Sequence, residues 1–339
     1  MAMILALLIV SAAPSQLNEA PSPSESATND STLDLLFIGN SYTSNNQLNV
    51  RVGNLLSANG FIPEVQALTS GGKTLAWHGE QADTEGSEWF TSLRNPHDYV
   101  ILQDQSQVPG FPTSSSYWQD SMEGARIIDD LVDENGGDTF FLMTWGYRNG
   151  DESNSWRYPD YETMQQYLET GYLAYAENLS SDRRPVFIAP VGMAFENIFF
   201  SISNATEDGT IFSDLYAADG SHPSIQGTYL AACVIHTSVT GESTVGLPST
   251  GGINASRTLE LQQWADHTVF NTSGLTYPWQ LEDLGVEFGV NSGSIFNIEP
   301  GLTIGVAANF TNQAEVNTTA LIEITSPAGW EVSWDYPDR

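Results

Sequence analysis

Three side chains that together can make an oxygen nucleophile occur at two places in the sequence. Ser41 lies in Gly39-Asn40-Ser41-Tyr42-Thr43, and Asp219 and His222 lie in Asp219-Gly220-Ser221-His222-Pro223. A serine hydroxyl attacks poorly until a base takes its proton. His222 is the base best placed for that task. An aspartate three residues earlier can fold back onto the other ring nitrogen, fix its tautomer and stabilise the imidazolium formed during attack. Each residue also has a plainer reading: Ser41 as a helix cap, Asp219 as an Asx-turn residue, His222 as a loop histidine. Taken jointly, the three point to nucleophilic acyl transfer.

No other set of residues offers comparable chemistry. His78 falls on a predicted helix and is expected to be half-exposed there. His97, His236 and His267 lack the spacing of zinc ligands, so no metal is expected. The one cysteine, Cys233, sits in the apolar run Ala231-Ala232-Cys233-Val234-Ile235 and reads as a buried, inert thiol. The sequence has no G-x-S-x-G elbow, no Walker motif and no dinucleotide glycine pattern, and no cofactor is expected.

The elements that must position these residues follow from hydrophobic patterning. Short apolar runs at 33–38, 64–68, 99–102, 139–143 and 185–189 read as strands. Amphipathic stretches at 47–59, 75–85, 117–135, 161–179, 224–240 and 255–269 read as helices. This alternation predicts an α/β fold: a flavodoxin-like three-layer α/β/α sandwich around a five-stranded parallel sheet. Ligands of such sheets bind at the carboxyl ends of the strands, which is where Ser41 falls. From residue 278 the pattern changes to the alternation of antiparallel strands. About sixty residues remain, where a full immunoglobulin-like sandwich needs about 100, so 278–339 reads as a reduced β-sandwich or part of a longer one.

The blocks around Ser41 and His222 resemble those of the SGNH (GDSL-like) hydrolases. Leu36-Phe37-Ile38-Gly39-Asn40-Ser41-Tyr42-Thr43 is similar to their GDS block, with Asn40 where most members carry Asp. Asp219-Gly220-Ser221-His222-Pro223, with Gly227 following, is similar to their D-x-x-H-P block. Ser70-Gly71-Gly72-Lys73-Thr74-Leu75 is similar to the glycine block, in which Gly72 aligns with the donor of one oxyanion-hole N–H. The third block departs from the usual G-x-N-D: here Gln103-Asp104-Gln105-Ser106 follows the third strand, placing Gln105 at the Asn position, with Gln103 as the alternative. The resemblance covers roughly 33–240. It implies a catalytic triad of Ser41, Asp219 and His222 and an oxyanion hole formed by Ser41, Gly72 and Gln105. Within 278–339, the stretch 302–332 resembles β-sandwich modules appended to glycosidases and surface proteins.

Substrate and location are read from loops, ends and charge. Thr144-Trp145-Gly146-Tyr147-Arg148 and Trp156-Arg157-Tyr158 follow the fourth strand and should border the site. Trp145, Tyr147 and Arg148 are the expected substrate contacts, although rings there could equally pack the loop onto the domain. Residues 3–10 are apolar and end in Ser11-Ala12-Ala13, which reads as an export signal over 1–13. A Ser/Pro-rich linker over 14–32 and a hydrolase domain over 33–277 follow. Forty-two acidic residues against ten basic ones give a net charge of −32, with Lys73 the only lysine. Such a charge opposes binding to nucleic acid and to anionic membranes. The expectation is a secreted or cell-surface serine esterase that removes short acyl groups, acetyl above all, from extracellular carbohydrate or small molecules. The alternatives are a general short-chain esterase or lipase, and a non-catalytic glycan-binding module.

Overall fold

The computed structural model describes residues 32–181, 184–249 and 252–282. The expected export signal, the linker up to residue 31 and the β-sandwich beyond residue 282 lie outside the described residues.

Five strands form one parallel sheet: β1 (Thr32–Gly39), β2 (Ile62–Thr69), β3 (Tyr99–Leu102), β4 (Asp138–Leu142) and β5 (Phe187–Ala189). Their order is β2-β1-β3-β4-β5. The central strands are apolar at nearly every position because both sheet faces are covered. Leu35, Leu36, Phe37 and Ile38 of β1 are fully buried, and so are Phe140 and Phe141 of β4. The edge strand β2 instead leaves Ile62 47% exposed.

The helices are α1 (Ser41–Ser44), α2 (Leu48–Ala58), α3 (Leu75–Asp83), α4 (Glu88–Ser92), α5 (Ser116–Glu134), α6 (Tyr161–Leu179), α7 (Val191–Ser201), α8 (Ile225–Thr240), α9 (Ala255–Asn271) and α10 (Pro278–Glu282). One group, α2, α8 and α9, packs together; a second group is α3, α5 and α6. Of the longer helices only α7 has no counterpart in the sequence reading. It begins directly after β5 and Pro190 with the apolar run Val191-Gly192-Met193-Ala194-Phe195, which continues the apolar pattern of the strand and hides the boundary between them. Cys233 is fully buried in α8, and burial pushes its thiol up to about 12.

The register aligns the strand ends. Gly39 pairs with Thr69, Ile38 with Leu102, Leu102 with Phe141 and Leu142 with Ala189. The loops after all five strands therefore leave from one edge of the sheet. In this strand order the connections diverge between β1 and β3, which makes the crevice between their ends the place where a ligand fits.

One contact sets how closely α3, and with it the glycine turn at its start, approaches α5. A Cβ on Gly79 would lie 2.5 Å from the Gly124 Cα, and one on Gly124 would lie 2.1 Å from the Leu75 carbonyl oxygen. Neither helix can carry a side chain at the crossing. Gly124→Ala should therefore cost about 1–3 kcal/mol or more of stability through overpacking, read as a lower denaturant midpoint. Gly71→Ala, where a Cβ meets nothing within 4 Å, should stay within about 0.5 kcal/mol of the parent.

Candidate active site

Ser41 is the first residue of α1, immediately after β1 and the cap Asn40. The single turn of α1 begins at Ser41 because Asn40 caps it, its side-chain oxygen accepting from the Tyr42 N–H at 3.1 Å. At the other end of the chain segment, Asp219–His222 forms a loop between the buried Tyr216 and α8. Two turns shape that loop. The Gly220 N–H donates to the Ala217 carbonyl (2.9 Å), with Gly220 at φ +68°, and the Ala217 N–H donates to the His222 carbonyl (2.8 Å).

The structure brings Ser41, His222 and Asp219 together. His222 Nε2 lies 2.9 Å from the Ser41 Oγ, and His222 Nδ1 lies 2.7 Å from Asp219 Oδ2. With Nδ1 protonated and donating to Asp219, Nε2 is left to accept from the Ser41 hydroxyl. Asp219 also serves as the Asx-turn residue: its Oδ1 accepts from the Ser221 N–H (3.0 Å) and the His222 N–H (2.9 Å). Burial pushes the Asp219 carboxyl up, but these backbone bonds and the bond to the His222 ring outweigh it and hold the group below its ordinary value. The His222 and Asp219 side chains remain 32% and 51% exposed, so the arrangement lies at the surface.

Three neighbours fix the histidine loop from outside. The Trp145 indole N–H donates to the Ser221 carbonyl (3.1 Å), the Arg148 N–H donates to the Gly220 carbonyl (2.8 Å), and the Asn46 amide donates to the Pro223 carbonyl (3.0 Å). Tyr42 OH and Ser221 Oγ lie 2.6 Å apart, and desolvation raises the Tyr42 phenol well above its usual value, so it stays a neutral hydrogen-bonding group.

The glycine turn lies against the Ser41 turn. The Asn40 amide donates to the Lys73 carbonyl (2.9 Å), and the Ser70 N–H donates to the Gly39 carbonyl (3.0 Å). Gly72 is exposed, with φ +69°, and has open space where a Cβ would be. His78, expected to be half-exposed, is instead fully buried; burial lowers its pKa to about 4, and its Nδ1 accepts from the Trp89 indole (3.0 Å). It is a neutral packing residue below the turn.

The third block divides its residues between two tasks. Gln103, the alternative oxyanion donor, is fully buried. Its Oε1 accepts from the Asn40 N–H (2.9 Å) and the Thr43 hydroxyl (2.9 Å), and its amide nitrogen donates to the Asp104 carbonyl. The Asn40 N–H fixes this amide orientation, because a flipped amide would set donor against donor. Gln103 therefore holds the Ser41 turn through its amide oxygen, with one of its two amide N–H donors given to the Asp104 carbonyl. Gln105 is half-buried, and its amide exchanges hydrogen bonds with Gln107: Nε2 donates to Gln107 Oε1, and its Oε1 accepts from the Gln107 N–H (3.0 Å).

The expected substrate contacts are placed differently from one another. Trp145 is 1% exposed, stacked at 4.5 Å on Phe195 and at 5.1 Å on Tyr42. Expected to touch substrate, it is instead a core ring whose N–H braces the histidine loop. A large ring directly after a central strand falls inside the domain, where its area is best buried. Tyr147 is half-buried with its hydroxyl 2.7 Å from Ser106 Oγ, and the Arg148 guanidinium pairs with Asp208 at 2.9 Å. Trp156, in the same loop, is 72% exposed. Among the described residues, no group of three or more His, Cys, Asp or Glu could hold a metal ion, and no helix is long and apolar enough to cross a membrane.

No protein-family model and no curated protein sequence matches the chain. Solved structures do. A DUF4886 family protein from Bacteroides uniformis superposes with a TM-score of 0.58 at 19% identity, over 74% of this chain and 99% of that one. A Slackia heliotrinireducens protein provisionally assigned to the SGNH hydrolases gives 0.48 at 24% identity, over 60% and 97%. Axe2, an acetylxylan esterase from Geobacillus stearothermophilus, gives 0.41 at 16%, over 62% and 93%. The first of these likenesses shows a shared α/β fold.

The role of Asn40 makes a direct test of the site's construction. Asn40→Asp keeps the cap acceptor but removes the donor to Lys73 and sets a carboxylate against a carbonyl. It should lower stability at neutral pH by about 1–3 kcal/mol, measured by denaturant unfolding.

Proposed function

We propose that the chain is a secreted serine ester hydrolase that removes short acyl groups, acetyl above all, from extracellular carbohydrate. The observation that carries this reading is the continuous hydrogen-bonded line from Ser41 Oγ through the His222 ring to Asp219. In the proposed reaction His222 Nε2 takes the Ser41 proton as Oγ attacks the ester carbonyl. The resulting oxyanion is held by the N–H groups of Ser41 and Gly72 and by the Gln105 amide, turned away from Gln107. His222 then gives its proton to the sugar oxygen as the C–O bond breaks, so the sugar departs as a hydroxyl and an acyl-serine remains. Water, deprotonated by the same histidine, attacks that ester, and the acid departs with Ser41 restored.

The exposure of His222 and Asp219 supports a bulky, hydrated leaving group at the surface over a lipid-like acyl chain, which would need a deep apolar groove. Trp156, exposed on the loop after β4, offers a ring face to a sugar. That loop is connected to the oxyanion side, since the Gln107 amide donates to Asp151 Oδ2 (2.8 Å).

Ser41→Ala should reduce hydrolysis of para-nitrophenyl acetate and of acetylated xylan by several orders of magnitude while leaving the unfolding transition in place. More than about a tenth of wild-type turnover remaining would overturn the assignment. The two glutamines separate by kinetics. Gln105→Ala should lower kcat by roughly 10²–10³ with KM nearly unchanged, as loss of one oxyanion donor does. Gln103→Ala should instead lower the unfolding midpoint together with kcat, because it releases the turn that carries Ser41.

A further inference from the structure

Asp104 is the one carboxylate of the third block, and nothing in the proposed chemistry uses it. It is fully buried, and four donors from four segments converge on it. Its Oδ1 accepts from the Leu75 N–H at 2.8 Å, the Gln105 N–H at 2.7 Å and the Ser121 hydroxyl at 3.2 Å. Its Oδ2 accepts from the Tyr175 hydroxyl at 3.0 Å. Leu75 opens α3 directly after the glycine turn, Ser121 lies on α5 and Tyr175 on α6. A single oxygen atom therefore ties the helix that follows Gly72 to the backbone of Gln105.

We infer that Asp104 is a positioning residue for the oxyanion hole, fixing the separation of the Gly72 turn from Gln105 so that both donors point at one place. The inference rests on the esterase reading of the site. Its physical ground is that preorganised donors stabilise a developing charge only when their spacing is set before the reaction. Neither loop has a sheet partner to set it, since Gly72 and Gln105 both lie beyond the ends of their strands. Stability alone does not explain a carboxyl group at this position. Burial raises Asp104 to about 6 in spite of its four hydrogen bonds. A carboxyl whose pKa is higher in the folded state binds its proton more tightly there, so its contribution to stability falls as pH rises from the unfolded value towards about 6. At neutral pH the ionised group therefore detracts from stability, while its acceptor geometry holds the loops.

The test compares Asp104→Ala with Asp104→Asn, using para-nitrophenyl acetate and circular dichroism to confirm folding. Asp104→Ala removes the shared acceptor and should lower kcat about tenfold or more, with KM within about twofold of the parent. Asp104→Asn keeps one acceptor oxygen for Leu75 and Gln105 and should return kcat to within about threefold. A folded Asp104→Ala with wild-type kcat would overturn the inference, and so would an Asn variant as impaired as the Ala one. If the Ala variant does not fold, hydrogen exchange on the wild-type protein decides: the Leu75 and Gln105 amides should be protected like those of the sheet, and fast exchange at either would refute the tie. The underlying reading fails separately, if the wild-type protein shows no Ser41-dependent ester hydrolysis.

Discussion

A parallel sheet supplies hydrogen-bond partners only along the length its strands share. Where β1 and β3 end, backbone donors of the following loops have to find acceptors elsewhere or stand unpaired in a dry environment, at a cost of about 1–3 kcal/mol each. In this molecule side chains take over from the sheet. Gln103 accepts from the Asn40 N–H, Asp104 from the Leu75 and Gln105 N–H groups, and Asn40 itself from Tyr42 while donating to Lys73. Three segments far apart in the chain, around Asn40, Leu75 and Gln103, are joined in this way beyond the ends of their strands. The arrangement of Ser41 relative to the glycine turn depends on this seam more than on the strands beneath it.

The strands and most helices were legible because their signals are local. Runs of buried apolar residues mark β1 and β3, and amphipathic repeats mark α5 and α6, with β3 and α6 bounded as expected. The contact between Asp219 and His222 was legible because the two are three residues apart and meet within one turn. What escaped the sequence is long-range and polar. Nothing local distinguishes Gln103, whose amide oxygen accepts from Asn40 and Thr43, from Gln105, two positions on and half-buried. Trp145 was placed correctly at a strand end but on the wrong side of the surface, because burial depends on Phe195 and Tyr42 arriving from other parts of the chain. Asp104 had one available sign: an acidic residue set two positions after a buried strand, between two glutamines.

Trp145 and the histidine loop illustrate how the inside of the domain supports its surface. His222 and Asp219 are partly open to water, where solvent competes for a hydrogen bond between side chains. Their order comes from the backbone instead. The loop carbonyls of Gly220, Ser221 and Pro223 are held by Arg148, Trp145 and Asn46, the first two from the loop after β4 and the third from the turn before α2. An exposed pair can thus keep a fixed geometry, with the rigid part of the structure lying underneath it.

The single thiol gives the molecule a property unrelated to its site. Cys233 is enclosed by α8 and its neighbours, fully inaccessible, and holds its proton up to about 12. A thiol reagent in neutral solution meets no thiolate until α8 separates from the core. The time course of modification then follows the opening of that helix, one event per molecule, with no second cysteine to exchange with or to blur the signal. The fold thereby carries its own clock for how often the core comes apart.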